Sequence, residues 1–465
     1  MTVGGSARPR ACAADGRCVT GWVRRNWGLA LWVLFNAAVA VLTAVLAAAR
    51  PMETAVGPYA AAALDWWAGR PAPAGDVPLL PSANLMFGPL ALLPLGIADQ
   101  VWRLLSVAVL TWAVYRAADL VRPDAPGPVA FRVLALAIPA AATGVVRGDW
   151  DVMTTAVLLH AAVDLAWDRR ARGGLLLALA AVAQPAALVP ALLFGAVRPR
   201  VLPWLLTGLA AVLTAPFLHP DPAYVAGRYA ALLEHLDLAP PYTAMTAVRV
   251  GGALCTLGAA FLAYRRLDGR TAALVTLMLA VAYTAMAYTG LADPRAGDGS
   301  FLGIAVLAGV ASFAERRRRP AAVLPVLLGA LAVGLGVHVY GDWIGIGEAA
   351  QGWLEPALTL LLYAYAGAVV AWPRTLVDPD PEAARRCDWR PDRVALVLCA
   401  AVPPLYAGTR LLTQAPLRQW LSAFEVVDYL ILVVALNLIG VALVVATGPL
   451  WNWMRGRPLR PAAEE

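Results

Sequence analysis

Runs of about twenty apolar residues recur along this chain, and their recurrence constrains the fold more than any short motif does. A helix rises about 1.5 Å per residue, so a run such as 28–48 is long enough to cross the hydrocarbon of a bilayer. Comparable runs lie at 100–120, 128–146, 151–167, 173–196, 201–219 and 250–264, and again at 271–290, 300–314, 321–340, 354–372, 393–412 and 426–448. Within lipid every backbone N–H and C=O must find its partner inside the protein, which favours helices for such runs. Hydrophobic residues make up 60% of the chain and charged residues 14%, leaving too little polar surface to cover a water-soluble fold. The expected fold class is therefore all-α, a polytopic transmembrane helix bundle of about 12–13 spans.

The charges give that bundle a direction. The chain has 37 basic residues against 30 acidic ones, and every basic residue is arginine. The arginines sit in short clusters beside the apolar runs, where the rule that cytoplasmic loops are basic explains them. Nucleic-acid affinity is therefore not read from the net charge of +7. A cytoplasmic N-terminus puts the clusters at Arg116/Arg122/Arg132, Arg169/Arg170/Arg172, Arg198/Arg200, Arg265/Arg266/Arg270 and 316–319 on the inner side. Segment 173–196 carries arginines at both ends, so it must break or double back, and Gln184-Pro185 marks the place. The resulting organisation is a cytoplasmic tail at 1–26 and a transmembrane module at 27–320 with extracytoplasmic loops 50–99 and 219–249. C-terminal transmembrane helices at 321–450 and a cytoplasmic tail at 451–465 follow. Amphipathic helices are expected within the two loops, near 59–69 and 224–236. The localisation that follows is a multi-pass protein of the plasma membrane.

Polar residues at the lip of a membrane bundle are costly, so they are the candidates for chemistry. Glu53, one turn past the first span, is placed to deprotonate a hydroxyl as a general base, or is an ordinary solvated loop carboxylate. The short turn Arg147-Gly148-Asp149-Trp150-Asp151 packs three charges between two apolar runs. Arg147 offers a guanidinium fork to phosphate, and Asp149 or Asp151 offers a carboxylate to a sugar hydroxyl or a proton; an interfacial ion pair is the plain alternative. Arg249 and Arg295 are further phosphate-binding candidates at the outer rim. His160, in mid-span, is expected to be hydrogen-bonded within the bundle. Cys12, Cys18, Cys255, Cys387 and Cys399 show no metal-ligand spacing, and neither a metal nor another cofactor is expected.

The order of these features resembles the membrane-embedded glycosyltransferases of the C-type fold, and most of all the actinobacterial family 87 enzymes that use polyprenyl-phosphate mannose. The resemblance covers roughly residues 28–320. It rests on Tyr59, on Gly69, on the run Pro89-Leu90-Ala91-Leu92-Leu93-Pro94, on Gly148-Asp149, and on the Gly-rich span 173–190 broken at Gln184-Pro185. The chain departs from that pattern in having Ala55 where the family's acidic residue stands, Asp149 for a glutamine and Gln184 for a lysine. The resemblance implies inverting transfer of a sugar, mannose especially, from a polyprenyl-phosphate donor to a lipid or glycan acceptor on the outer face. Glu53 or Asp149 would be the base; Tyr59, Arg147, Asp151, Gln184, Arg249 and Arg295 would bind substrate. Two other readings stay open: an inactive relative that binds lipid-linked glycans, and a secondary transporter, for which neither an internal repeat nor paired mid-span charges is found.

Overall fold

The computed structural model describes residues 56–70, 81–121, 126, 130, 133–134, 150–235, 243–285, 359–360 and 363–372. Among these, all regular structure is helical. The elements used below are α1 Val56–Trp67, α2 Pro81–Ala91, α3 Leu95–Val121, α4 Trp150–Ala166, α5 Arg170–Ala183, α6 Leu188–Val197, α7 Leu202–Thr214, α8 Pro222–His235, α9 Thr243–Arg266 and α10 Gly269–Thr284. Among the described residues, two helices are long and apolar enough to cross a membrane, Leu95–Val121 and Pro199–Leu218. The second is α7 extended at both ends by 3-10 turns, Pro199–Val201 and Ala215–Leu218.

Helix α4 is the centre of the packing. It buries residues on every side, including Val152, Ala156, Leu159, Ala162 and Val163, which is the pattern of a helix enclosed by others. Helices α3, α5 and α10 pack against it. Small residues let α5 and α7 approach closely. A Cβ on Gly174 would lie 2.7 Å from the Cβ of Trp204, and one on Gly208 2.7 Å from the Cβ of Ala178. The two contacts step four residues along both chains in the same sense, so α5 and α7 run parallel.

Parallel neighbours need a return between them, and α6 supplies it. A residue before proline is driven out of the helical region, and Gln184 sits at φ −142°, ψ 114° ahead of Pro185. Helix α5 ends there, the 3-10 turn Pro185–Ala187 reverses the chain, and α6 runs back. Leu165 meets both ends of this hairpin: its carbonyl accepts a hydrogen bond from the Arg198 guanidinium, and its side chain fills the space beside Gly173. Segment 173–196 thus begins and ends at one side of the bundle.

The regions read as outer loops are more helical than the sequence suggests. Loop 50–99 contains α1 and also α2, which holds Pro89 in its interior, and α3 starts at Leu95 before the expected 100. Loop 219–249 contains α8 and the first two turns of α9. These helices pack on one another through aromatic rings, with Trp66 against both His219 and Tyr224 at 5.2 and 5.4 Å. The Tyr224 hydroxyl, donating to the Arg70 carbonyl at 2.7 Å, ties α8 to the end of α1.

Charge divides the bundle end from end. Arg116 near the C-terminus of α3 reaches Asp164 near the C-terminus of α4, beside Arg169 and Arg172 at the start of α5. Arg198 lies over the Tyr264 ring, and Arg270 over the Trp167 ring at 4.8 Å. Those contacts bring the ends of α6 and α9 and the start of α10 to the same side, with Arg200, Arg265 and Arg266 among them. The opposite end holds Asp65 with Arg70, Asp99 with Arg103, and Asp151. Among the described residues, one end is rich in arginine and the other is close to balanced.

Candidate functional site

At the balanced end, the beginning of α4, the hairpin turn and the end of α10 enclose a cavity. Asp151, Thr154, Thr155 and Leu158 follow one another at i, i+3, i+4 and i+7 on α4, so all four present to the same side. Gln184, Ala187 and Pro190 from the hairpin face them, and Thr284 at the end of α10 and the following Ala285 complete the wall. The volume is about 50 Å³. At roughly 10–15 Å³ per water-sized group, this admits one hydroxyl-bearing edge of a sugar and not a whole ring.

Two residues picked from separate parts of the sequence meet here. The Gln184 side-chain amide donates to Asp151 Oδ1 at 2.5 Å, a short bond to a charged acceptor that holds both side chains in place. Beside them Thr154 is buried and its Oγ1 has no hydrogen-bond partner. A buried hydroxyl without a partner is costly unless something else satisfies it. The wall therefore carries a carboxylate, an amide and a hydroxyl around a small apolar recess, the mixture that pairs with a polyol.

Next to the cavity, Trp150 anchors the start of α4 in a cluster of rings. Tyr59 stacks on Phe87 with centroids 5.0 Å apart and planes 14° from parallel. Phe87 meets Trp150 edge-on at 4.7 Å, and Trp102 contacts both. Tyr59 also lies edge-on to Trp150 at 5.9 Å, which places it one residue along from Asp151. The cluster draws on α1, α2, α3 and α4, so the position of Asp151 depends on four helices. Arg249 is brought towards the same end by its backbone, whose carbonyl accepts from the Tyr283 hydroxyl at 2.6 Å, and Tyr283 precedes cavity-lining Thr284.

Of the residues singled out in the sequence, Tyr59, Asp151, Gln184 and Arg249 are described. Glu53, Arg147, Asp149 and Arg295 lie outside the described residues. Thr154, Thr155 and Thr284 were not foreseen. A signal for the first two was present, since hydroxyls three and four residues after Asp151 share its helical face.

A second polar cluster occupies the arginine-rich end. The side chain of Asp164 is fully buried, and three guanidinium groups converge on it: Arg116, Arg172 with Nε 3.0 Å away, and Arg169 at 3.6 Å. His160, one turn earlier on α4, places Nδ1 3.0 Å from Arg116, so the mid-span histidine is hydrogen-bonded within the bundle. Arg116, read as part of an inner connection, sits inside α3 because its guanidinium follows this carboxylate.

Comparison with known proteins adds one match. The profile of glycosyltransferase family 87 aligns with residues 81–335, more than half of the 465-residue chain, and includes every residue of the cavity wall. No curated protein matches the chain.

Proposed function

Since the chain belongs to glycosyltransferase family 87, and its chemistry is the transfer of a sugar, we propose that the donor is a polyprenyl-phosphate-linked sugar, mannose in the first instance. The acceptor is a lipid or glycan, and the reaction takes place on the extracytoplasmic face of the plasma membrane. The chain is a multi-pass protein with its N-terminus in the cytoplasm.

The division of charge supports this sidedness. Arginine accumulates on the cytoplasmic side of membrane proteins, and the Asp151–Gln184 cavity lies at the opposite end from the arginine clusters. A donor carried on a polyprenyl chain reaches such a site laterally from the outer leaflet, its chain staying among the lipids.

The single observation that carries the reading is the Asp151–Gln184 pair over a small apolar recess, beside Trp150 and the Tyr59 ring that meets it edge-on. In this mechanism Asp151, Gln184 and Thr154 hold hydroxyls of the sugar while Tyr59 and its neighbouring rings offer an apolar face. Arg147, Arg249 and Arg295 hold the donor phosphate. The acceptor oxygen attacks the anomeric carbon from the side opposite the phosphate. The bond from that carbon to phosphate oxygen breaks, the electron pair leaves with the polyprenyl phosphate, and the acceptor proton passes to Glu53 or, failing it, Asp149.

The test is transfer of radiolabel from polyprenyl-phosphate mannose into lipid extracts of membranes containing the chain. Activity is expected with the wild type and is lost in Glu53→Gln or Asp149→Asn. Transfer that survives both substitutions overturns the assignment of the base. Label accepted from a soluble nucleotide sugar and not from the polyprenyl donor overturns the substrate class.

A further inference from the structure

The Asp164 cluster has no part in the transfer described above, and its charges do not balance. Three guanidinium groups share one carboxylate, while the adjacent Arg170 is neutralised separately by Asp168 through bonds of 2.9 and 2.7 Å. Arg169 and Arg172 remain about half exposed, at 57% and 52%. Two positive charges are thus held at fixed positions by a buried anion that satisfies only one of the three.

An apolar track leads to this cluster along α3. Val101, Leu105 and Trp112 all stand exposed, at 39%, 45% and 55%, and spacings of four and seven residues put them on one helical face. The track ends at Trp112, whose ring lies edge-on to His160 at 4.7 Å and beneath the Arg116 guanidinium at 6.0 Å. Eleven residues of helix make about 16 Å, close to the depth of one leaflet's hydrocarbon.

We propose that this end of α3, α4 and α5 binds one anionic phospholipid, its phosphate on Arg169 and Arg172 and one acyl chain along Val101, Leu105 and Trp112. The phosphodiester supplies the anion that the shared carboxylate does not, and its oxygens match the guanidinium fork. The track commits the site to a lipid, because free phosphate would leave that apolar face unused. The inference depends on the membrane placement given above and not on any catalytic assignment.

Native mass spectrometry of the full-length protein, released from mixed phosphatidylglycerol and phosphatidylcholine micelles, tests it. Retention of one phosphatidylglycerol is expected in preference to phosphatidylcholine. Arg169→Gln and Arg172→Gln should each weaken retention by about fivefold, the effect of one basic residue at an anionic surface. Arg200→Gln and Arg265→Gln, at the same end but outside the cluster, should leave it unchanged. Equal losses in all four variants would mean diffuse attraction and overturn the site. Should either cluster variant fail to fold, the wild type still decides: displacement of the bound lipid by an equal concentration of inorganic phosphate, or equal retention of phosphatidylcholine, also overturns it. Radiolabel transfer is not read in this experiment, so its failure and that of the transferase reading are separate results.

Discussion

Gln184 donates its side-chain amide to the carboxylate of Asp151 across 33 positions of chain, at the one point where α5 stops and reverses. Pro185 forces Gln184 into an extended conformation, and the same kink that ends the helix turns this amide towards the start of α4. A sequence feature that looks like damage to a membrane helix is thus the means of building a polar wall. Asp151→Asn removes the charged acceptor, which is worth about 1.5–3 kcal/mol in such a bond, and is expected to lower kcat/KM for sugar transfer at least about tenfold. Gln184→Ala should lower it less. Radiolabel transfer at matched protein abundance checks both.

Phe87 carries the ring cluster that positions Trp150. It is 1% exposed and touches Tyr59, Trp102 and Trp150. Phe87→Ala is expected to cost about 3–5 kcal/mol, from lost contacts and the cavity left behind. The shift in thermal unfolding in detergent, followed by tryptophan fluorescence, measures it.

Gly174 and Gly208 set how closely α5 and α7 can approach. Alanine at either position would put its Cβ 2.7 Å from a carbon on the facing helix, and at Gly174 the backbone nitrogen of Leu205 is only 3.0 Å away. Overpacking of this kind costs about 1–3 kcal/mol. A lower midpoint is expected for both variants, since each new Cβ meets a facing Cβ that can move only with its backbone, with the larger fall at Gly174, where a backbone nitrogen also stands at 3.0 Å.

Asp164→Asn leaves Arg116, only 15% exposed, without its anion. Removing one partner of a buried pair costs about 3–5 kcal/mol, so loss of folded protein is expected in size-exclusion profiles. Replacing both, as Asp164→Leu with Arg116→Met, should recover much of the loss, because no buried charge is then stranded.

Asp168 tests charge without burial. It occupies the left-handed region at φ 57°, which asparagine also tolerates, so Asp168→Asn changes the charge and spares the backbone. Its hydrogen bond from Arg170 holds the carboxyl below its ordinary value of 3.8. A lowered folded-state value means that the bond contributes above the ordinary value and is lost as the pH falls through the lowered one. The wild type should therefore lose its advantage over Asp168→Asn only in acid, in unfolding midpoints compared between about pH 6 and about pH 3.

The helical class and the family were legible because both depend on local patterns. Apolar runs mark 201–219, and the helix Pro199–Leu218 lies there; Gln184-Pro185 marks the break, and the chain reverses there. The pairing of Asp151 with Gln184 was not legible, since nothing in either segment says which neighbouring helix the hairpin turn meets. The convergence of Arg116, Arg169 and Arg172 on Asp164 was missed for a related reason. Hydropathy treats an arginine near a helix end as a marker of sidedness, whereas a buried carboxylate on the next helix draws three of them inward.

What the amino-acid order determined alone was where helices start, stop and break, because apolar length, proline and charge act over a few neighbouring residues. What only the tertiary structure decided was which polar groups meet. The cavity wall joins residues 151, 184 and 284, and the ring cluster joins 59, 87, 102 and 150. Those meetings are set by the glycine contacts and ring packing that fix how whole helices lie against one another, and such energies exist only once distant segments are already side by side.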